Sequence, residues 1–314
     1  MITNDQINQW KTNGYVILKN IINKELFKKC KKFLDNTYYD KLHSSKDFGS
    51  NGKVEFFSNT VLDYISINEN LINCVQKLLN TEKITLIQSD AWGKYGNNNF
   101  TEQSNQDQRM HMDYGNNTFL HPPSWNNPEA VAAIVYFSNT KETSGSTAVV
   151  PRLGDNDELY QQPYINMPGQ NKFKFYNNKN IAEEYFKKLY PKIYQFRKQL
   201  YEREILPEFE VGDILFYRLD IWHRGTPVLN GKIRKVMNLL WRKKESTWIN
   251  NWNPGFTKKM YYGYLEKFFT KLSPLQRSTL GIPLPGDKYW NHKNINFLKA
   301  RYPGINITPY LSKL

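Results

Sequence analysis

The chain has 314 residues, enough for one large domain or two small ones around a buried core, and its 39% apolar and 15% aromatic content excludes a disordered chain. The polar opening "MITNDQINQWKTNGY" is no signal peptide, and the longest apolar run, "AVAAIVYF" at 130–137, is far short of the roughly 20 residues that a bilayer span needs, so a soluble cytoplasmic protein is expected. The net charge of +14 admits a polyanionic partner such as nucleic acid, but only ten of the 43 basic residues are arginine and the lysines are dispersed, which favours a compositional origin.

Thr3 and Gln6 have the spacing of a capping box, and Gly14 fits the stop of a first helix. "YVIL" (15–18) reads as a short strand. A second helix is expected from Asn23, with Leu26, Phe27, Cys30, Phe33 and Leu34 on one face, and a third over 69–79 with Leu71, Ile72, Val75, Leu78 and Leu79. Strand patterns follow at 83–95, around 109–114, at 130–139 and at 146–151. A lysine- and tyrosine-rich helical stretch spans about 181–204, and strands return at 208–218 and 233–242. The tail, 245–314, mixes short helices with Pro/Gly turns. Strands on both sides of a helical insertion predict a mainly β, α+β fold: a sandwich or barrel with helices packed outside. Cys30 and Cys74 are the only cysteines, so neither a disulfide framework nor a thiolate zinc site is expected.

The chemistry concentrates in "RMHMDYG" (109–115). On a strand, residues two apart share a face, so His111 and Asp113 would present an imidazole and a carboxylate side by side. His-x-Asp alone is a weak signal, and a surface histidine is the bland alternative. Of His43, His121, His223 and His292, only His223 has an informative context, "GDILFYRLDIWHRGTPVLNGKIRKVMNLLW" (212–241). There a histidine stands where an apolar strand ends, with Arg234 eleven residues later in the next strand. Two histidines and a carboxylate make the facial triad of a non-haem Fe(II) oxygenase, and a guanidinium fork suits a carboxylate. A zinc hydrolase could use the same three ligands but leaves Arg234 without a task. His121 reads as a loop histidine or a substrate contact, Tyr136 as core or pocket lining, and Asp220 as a possible partner of a ligating histidine.

With these motifs in view, the sequence resembles the phytanoyl-CoA dioxygenase-like Fe(II)/2-oxoglutarate oxygenases over most of its length. "QWKTNGYVILKNIINKELFKKCKKFLD" (9–35) is similar to the family's opening helix–strand–helix, "RMHMDYG" to its iron-binding strand, and "VYFSNTKETSGSTAVVPRLG" (135–154) to its turn before a Val-Val-Pro strand. "GIPLPGDKYW" (281–290) and "ARYPGINITPY" (300–310) resemble C-terminal segments of some members. The resemblance implies one oxygenase domain, 1–314, on a double-stranded β-helix (jelly-roll, cupin-like) core. It places an N-terminal helical part at 1–82, the core at 83–244 with a helical insertion near 155–205, and a C-terminal extension at 245–314. It implies Fe(II) on His111, Asp113 and His223, with 2-oxoglutarate anchored by Arg234 and O₂ consumed. Lys94 lies where some relatives contact the cosubstrate. The chain departs from the family at Gly225, where a hydroxyl residue often stands two positions beyond the distal histidine; Thr226 is the nearby substitute. It departs again in "PRLGDN", where Pro-Gly-Ser-His is common. The carboxylate of Asp113 argues against a halogenase and for hydroxylation, with release of succinate and CO₂. A small-molecule substrate is expected, read by segments 37–60, 97–108, 114–128, 155–205 and the tail. The same chemistry on nucleic acid and an idle ligand-binding jelly roll are the alternatives, and the oligomeric state stays open.

Overall fold

A computed structural model describes residues 2–40, 53–96, 107–114, 120–121, 127–161, 166–168, 173–174, 176–249 and 264–314. Its centre is a six-stranded antiparallel sheet in the order β1 (Tyr15–Leu18), β6 (Ile214–Arg218), β4 (Ala130–Tyr136), β8 (Ile233–Lys243), β3 (Ile84–Tyr95) and β2 (Val54–Glu55). A second, two-stranded sheet pairs β5 (Thr147–Val149) with β7 (His223–Gly225).

The N-terminal elements form for local reasons. Thr3 and Gln6 close a capping box on helix α1 (Asn4–Asn13), and Gly14 ends it in the left-handed conformation, φ 85°, that costs glycine nothing. Asn23 caps α2 (Lys24–Thr37), which is followed by the short α3 (Asp63–Ser66), and Asn68 caps α4 (Glu69–Leu79). Trp10, Leu34, Leu71 and Val75 from these helices cover one face of the large sheet, meeting Val131, Ala133, Val135, Phe216, Met237 and Leu239. The alternate residues Ala132, Ile134, Tyr136, Leu215, Tyr217, Val236 and Leu240 face the opposite side, with Val149, the helical insertion and the C-terminal segment. Burial on both faces is why β4 reads as an unbroken apolar run rather than an alternating one.

Three boundaries differ from the sequence expectation. The helical stretch breaks at Tyr190 into Lys179–Leu189 and Pro191–Arg203, because proline starts a helix well and continues one badly. The expected strand 208–218 begins only at Ile214: Gly212, at φ 98°, makes a turn in which the Glu210 N–H donates to the Asp213 carboxylate. The stretch 109–114 is not a regular strand; it is extended, makes an isolated bridge at His111, and turns helical at Asp113. In the tail, short helices cover Tyr264–Lys271, Pro274–Thr279, His292–Arg301 and Thr308–Leu311. No helix among the described residues is long and apolar enough to cross a membrane.

Candidate metal centre

His111 and His223 are locked together through their backbones. Each N–H donates to the other's carbonyl, at 3.0 and 2.9 Å, so the two imidazoles leave the same side with ring centres 4.4 Å apart. The Asp113 N–H donates to Leu219 O at 3.1 Å, which fixes the third member against the turn that precedes His223. The candidate ligand atoms of His111, Asp113 and His223 all lie within 4.8 Å of one another, and all three residues are buried.

The surrounding bonds leave one metal-facing atom on each residue. His111 Nδ1 is 2.9 Å from Arg109 O and His223 Nδ1 is 3.0 Å from Ile221 O. A carbonyl only accepts, so both Nδ1 atoms carry the proton and both Nε2 lone pairs are left over. The Tyr217 hydroxyl donates to Asp113 Oδ2 at 2.9 Å, leaving Oδ1, which is 3.6 Å from His223 Nε2. Burial first, then the neighbouring His223 ring and the Arg109 guanidinium, push the His111 pKa well below its ordinary value, so the ring is neutral and able to ligate. Burial and the Asp113 carboxylate push the Tyr217 phenol well above its usual value, so it remains a donor. This donor set fits a divalent transition metal with nitrogen and oxygen ligands.

The same cavity is lined by Trp92, Lys94, Gln108, Thr147, Tyr217, Arg234 and Asn238 beside the two histidines. Arg234 is 3% exposed; one Nη1 bond goes to Gly145 O at 2.5 Å, and the guanidinium lies 4.9 Å from the centre of the Trp92 ring. Its Nε has no hydrogen-bond partner, and among the described residues no carboxylate pairs with it. Burial alone pulls its pKa below the usual guanidinium value. Lys94, buried on the facing strand, donates to Thr226 O at 3.1 Å. The Thr226 hydroxyl does not line the cavity; it donates to Ser146 O at 2.8 Å.

Other expectations are resolved by contacts. Asp220 touches neither ligating histidine: Arg218 and Arg152 hold both of its oxygens, at 2.7–2.9 Å, while backbone carbonyls satisfy the histidine Nδ1 atoms. His121 is buried against the Phe297 ring, 4.3 Å away, and outside the cavity lining. Tyr136 stacks on Phe209 and its hydroxyl meets Thr147, which does line the cavity. Residues 41–52, 97–106, 115–119, 122–126, 162–165, 169–172 and 250–263, which include His43 and much of the expected substrate-reading segments, lie outside the described residues. Sequence reasoning missed Gln108, Tyr217 and Asn238, which reach the cavity through the fold rather than through any motif.

No protein-family model matches the chain, and no curated protein matches it. Solved structures do. The non-heme alpha ketoglutarate dependent carbocyclase SnoK from nogalamycin biosynthesis aligns at a TM-score of 0.52 and 10% identity, over 77% of this chain and 84% of SnoK. The epimerase SnoN, in complex with Fe3+, alpha ketoglutarate and nogalamycin RO, aligns at 0.51 and 12%, over 81% and 88%. EctD from S. alaskensis, with 2-oxoglutarate and 5-hydroxyectoine, aligns at 0.50 and 12%, over 77% and 76%. At these identities the likeness is one of fold: this chain shares its architecture with iron/2-oxoglutarate enzymes.

Proposed function

We propose that this protein is an Fe(II)- and 2-oxoglutarate-dependent dioxygenase that hydroxylates an unactivated C–H bond of a small molecule. The observation that carries this reading is a coincidence in space: the two histidines of a metal-competent triad and a buried guanidinium with no acidic partner among the described residues line one cavity. A buried charge is costly unless something pairs with it, so Arg234 calls for an anion in that cavity. His111 Nε2, Asp113 Oδ1 and His223 Nε2 would hold the metal, as the two-histidine, one-carboxylate set of such oxygenases does. Arg234 receives the distal carboxylate of the cosubstrate, with the Lys94 ammonium on the facing strand; Thr226 acts through its carbonyl, which tethers Lys94. Bound there, iron and 2-oxoglutarate supply activation of O₂ coupled to decarboxylation, with succinate and CO₂ as coproducts.

The six-stranded sheet and the β5–β7 pair are taken as the two sheets of a double-stranded β-helix closing around this cavity. The whole chain serves as one domain in this reading. β1 belongs to the large sheet, and the C-terminal Tyr289, Trp290 and Tyr302 join the same hydrophobic cluster as Trp92 and Tyr217. The proteins of similar fold carry out a carbocyclisation and an epimerisation as well. The Asp113 carboxylate argues against halogenation, and hydroxylation is the reading proposed here.

The test is an anaerobic titration of metal-free protein with Fe(II) and then 2-oxoglutarate, following the weak visible metal-to-ligand charge-transfer band. A band that disappears in H111A and needs more 2-oxoglutarate in R234A is the expected result. Well-folded wild-type protein that gives no band would overturn the assignment.

A further inference from the structure

We infer that Gln108 is a cosubstrate-positioning residue: its side-chain amide fills the space beside Gly225 and offers N–H donors to the anion that Arg234 binds. This inference rests on the oxygenase reading above. Gly225 lies two residues beyond His223, on the strand that lines the cavity, and has no side chain to present there. A Cβ at Gly225 would fall 2.8 Å from Gln108 Oε1 and 3.2 Å from its Cδ, closer than side chains pack, so the amide occupies the place of a residue-225 side chain. The backbones are joined as well: the Gln108 N–H donates to Gly225 O at 3.0 Å.

The orientation of the amide follows from its contacts. Gln108 Oε1 accepts the Gly225 N–H at 2.9 Å, so the oxygen must be the atom on that side. The Nε2 end has no hydrogen-bond partner among the described residues, although Gln108 is only 7% exposed and lines the cavity. Lining the cavity, the amide NH₂ is available to donate to a ligand bound there. Its companions in the cavity are the Arg234 guanidinium and the Lys94 ammonium, also donors without acceptor capacity. Three donor groups line one cavity whose lining has no carboxylate among the described residues, and a carboxylate can accept from such donors.

The experiment measures 2-oxoglutarate affinity on anaerobic Fe(II)-loaded protein by the charge-transfer band, with Fe(II) affinity and thermal melting recorded for each variant. Q108E keeps the acceptor for the Gly225 N–H but replaces the donor with a carboxylate. Loss of about tenfold or more in 2-oxoglutarate affinity, with unchanged melting, is expected for it. Q108A should lose about tenfold, and G225S alone should also lose affinity because its Cβ collides with the amide. The double variant Q108A/G225S removes the collision and restores a donor, and should recover to within about threefold of wild type. Q108E and Q108A that bind 2-oxoglutarate like wild type, while R234A does not, overturn the role of Gln108 and leave the oxygenase reading standing. A double variant no tighter than Q108A also overturns it. Wild-type protein that shows no band refutes the reading on which the inference rests.

Discussion

Lys94 and Arg234 stand directly opposite each other on β3 and β8, so two buried cationic side chains share one rung of the sheet. Like charges in that relation repel, and the guanidinium has no acidic partner among the described residues. The protein carries this cost where an anion would relieve it. R234M should therefore fold with stability unchanged or raised by up to about 2 kcal/mol, because a hydrophobic residue of similar length needs no counter-ion. Wild-type protein loaded with Mn(II) should melt later when 2-oxoglutarate is added; at about a hundredfold excess over Kd the gain is about 2.7 kcal/mol. R234M should show no such shift. Thermal melts with and without 2-oxoglutarate decide it, and an R234M protein still stabilised by the cosubstrate would remove Arg234 from the binding site.

Tyr217 is expected to act on metal binding through Asp113. Its hydroxyl donates to Asp113 Oδ2 and so selects which oxygen faces the two histidines. Y217F keeps the ring, its packing and the sheet, and removes only that donor. Metal affinity should fall about 10- to 100-fold with little change in melting temperature. Mn(II) titration by calorimetry provides the check; unchanged affinity would mean that Asp113 orients itself.

The helical insertion holds the HMD segment. The Met110 N–H donates to the Tyr201 hydroxyl at 3.0 Å, the Arg197 Nη2 donates to Met110 O at 3.1 Å, and Glu183 ties Tyr201 to Arg197. Y201F should cost about 1–3 kcal/mol, because a buried backbone N–H loses its acceptor. It should also speed amide exchange at Met110 and weaken metal binding, since His111 is the next residue. Hydrogen exchange resolved at that segment, compared with a variant at exposed Lys198, separates a local effect from general destabilisation.

This arrangement also marks where sequence reasoning stopped. The pattern around 109–114 resembles a strand because apolar and polar residues alternate, yet the backbone of Met110 is held by two side chains of one helix, Arg197 and Tyr201, about 90 residues away. No periodicity encodes such a contact. The capping box at Thr3, the doubly buried run at 130–137 and the pairing of His111 and Asp113 with His223 were legible, because each depends on local spacing or on a scarce residue type. Gln108 was not: its meaning depends on the missing side chain of Gly225, over a hundred residues later.

Among the described residues, the most buried ion cluster lies beside the turn that leads to His223. Asp220 is held by Arg218 through two bonds and by Arg152 through one, tying the turn before His223 to the segment after β5. Burial alone would raise the Asp220 carboxyl, but the two guanidinia outweigh it and hold its pKa below the usual carboxylate value. A depressed folded-state pKa stabilises the protein above the unfolded value, about 3.9, and that contribution is lost as pH falls through the folded value. D220N should cost about 3–5 kcal/mol at pH 7, because two buried guanidinia lose the carboxylate they share. As the pH drops below about 4, wild type should begin to lose the same contribution, and the gap between the two proteins should narrow. Urea unfolding of both at pH 7 and near pH 3 tests this. A gap of equal size at both pH values would assign the effect to packing rather than to the charge on Asp220.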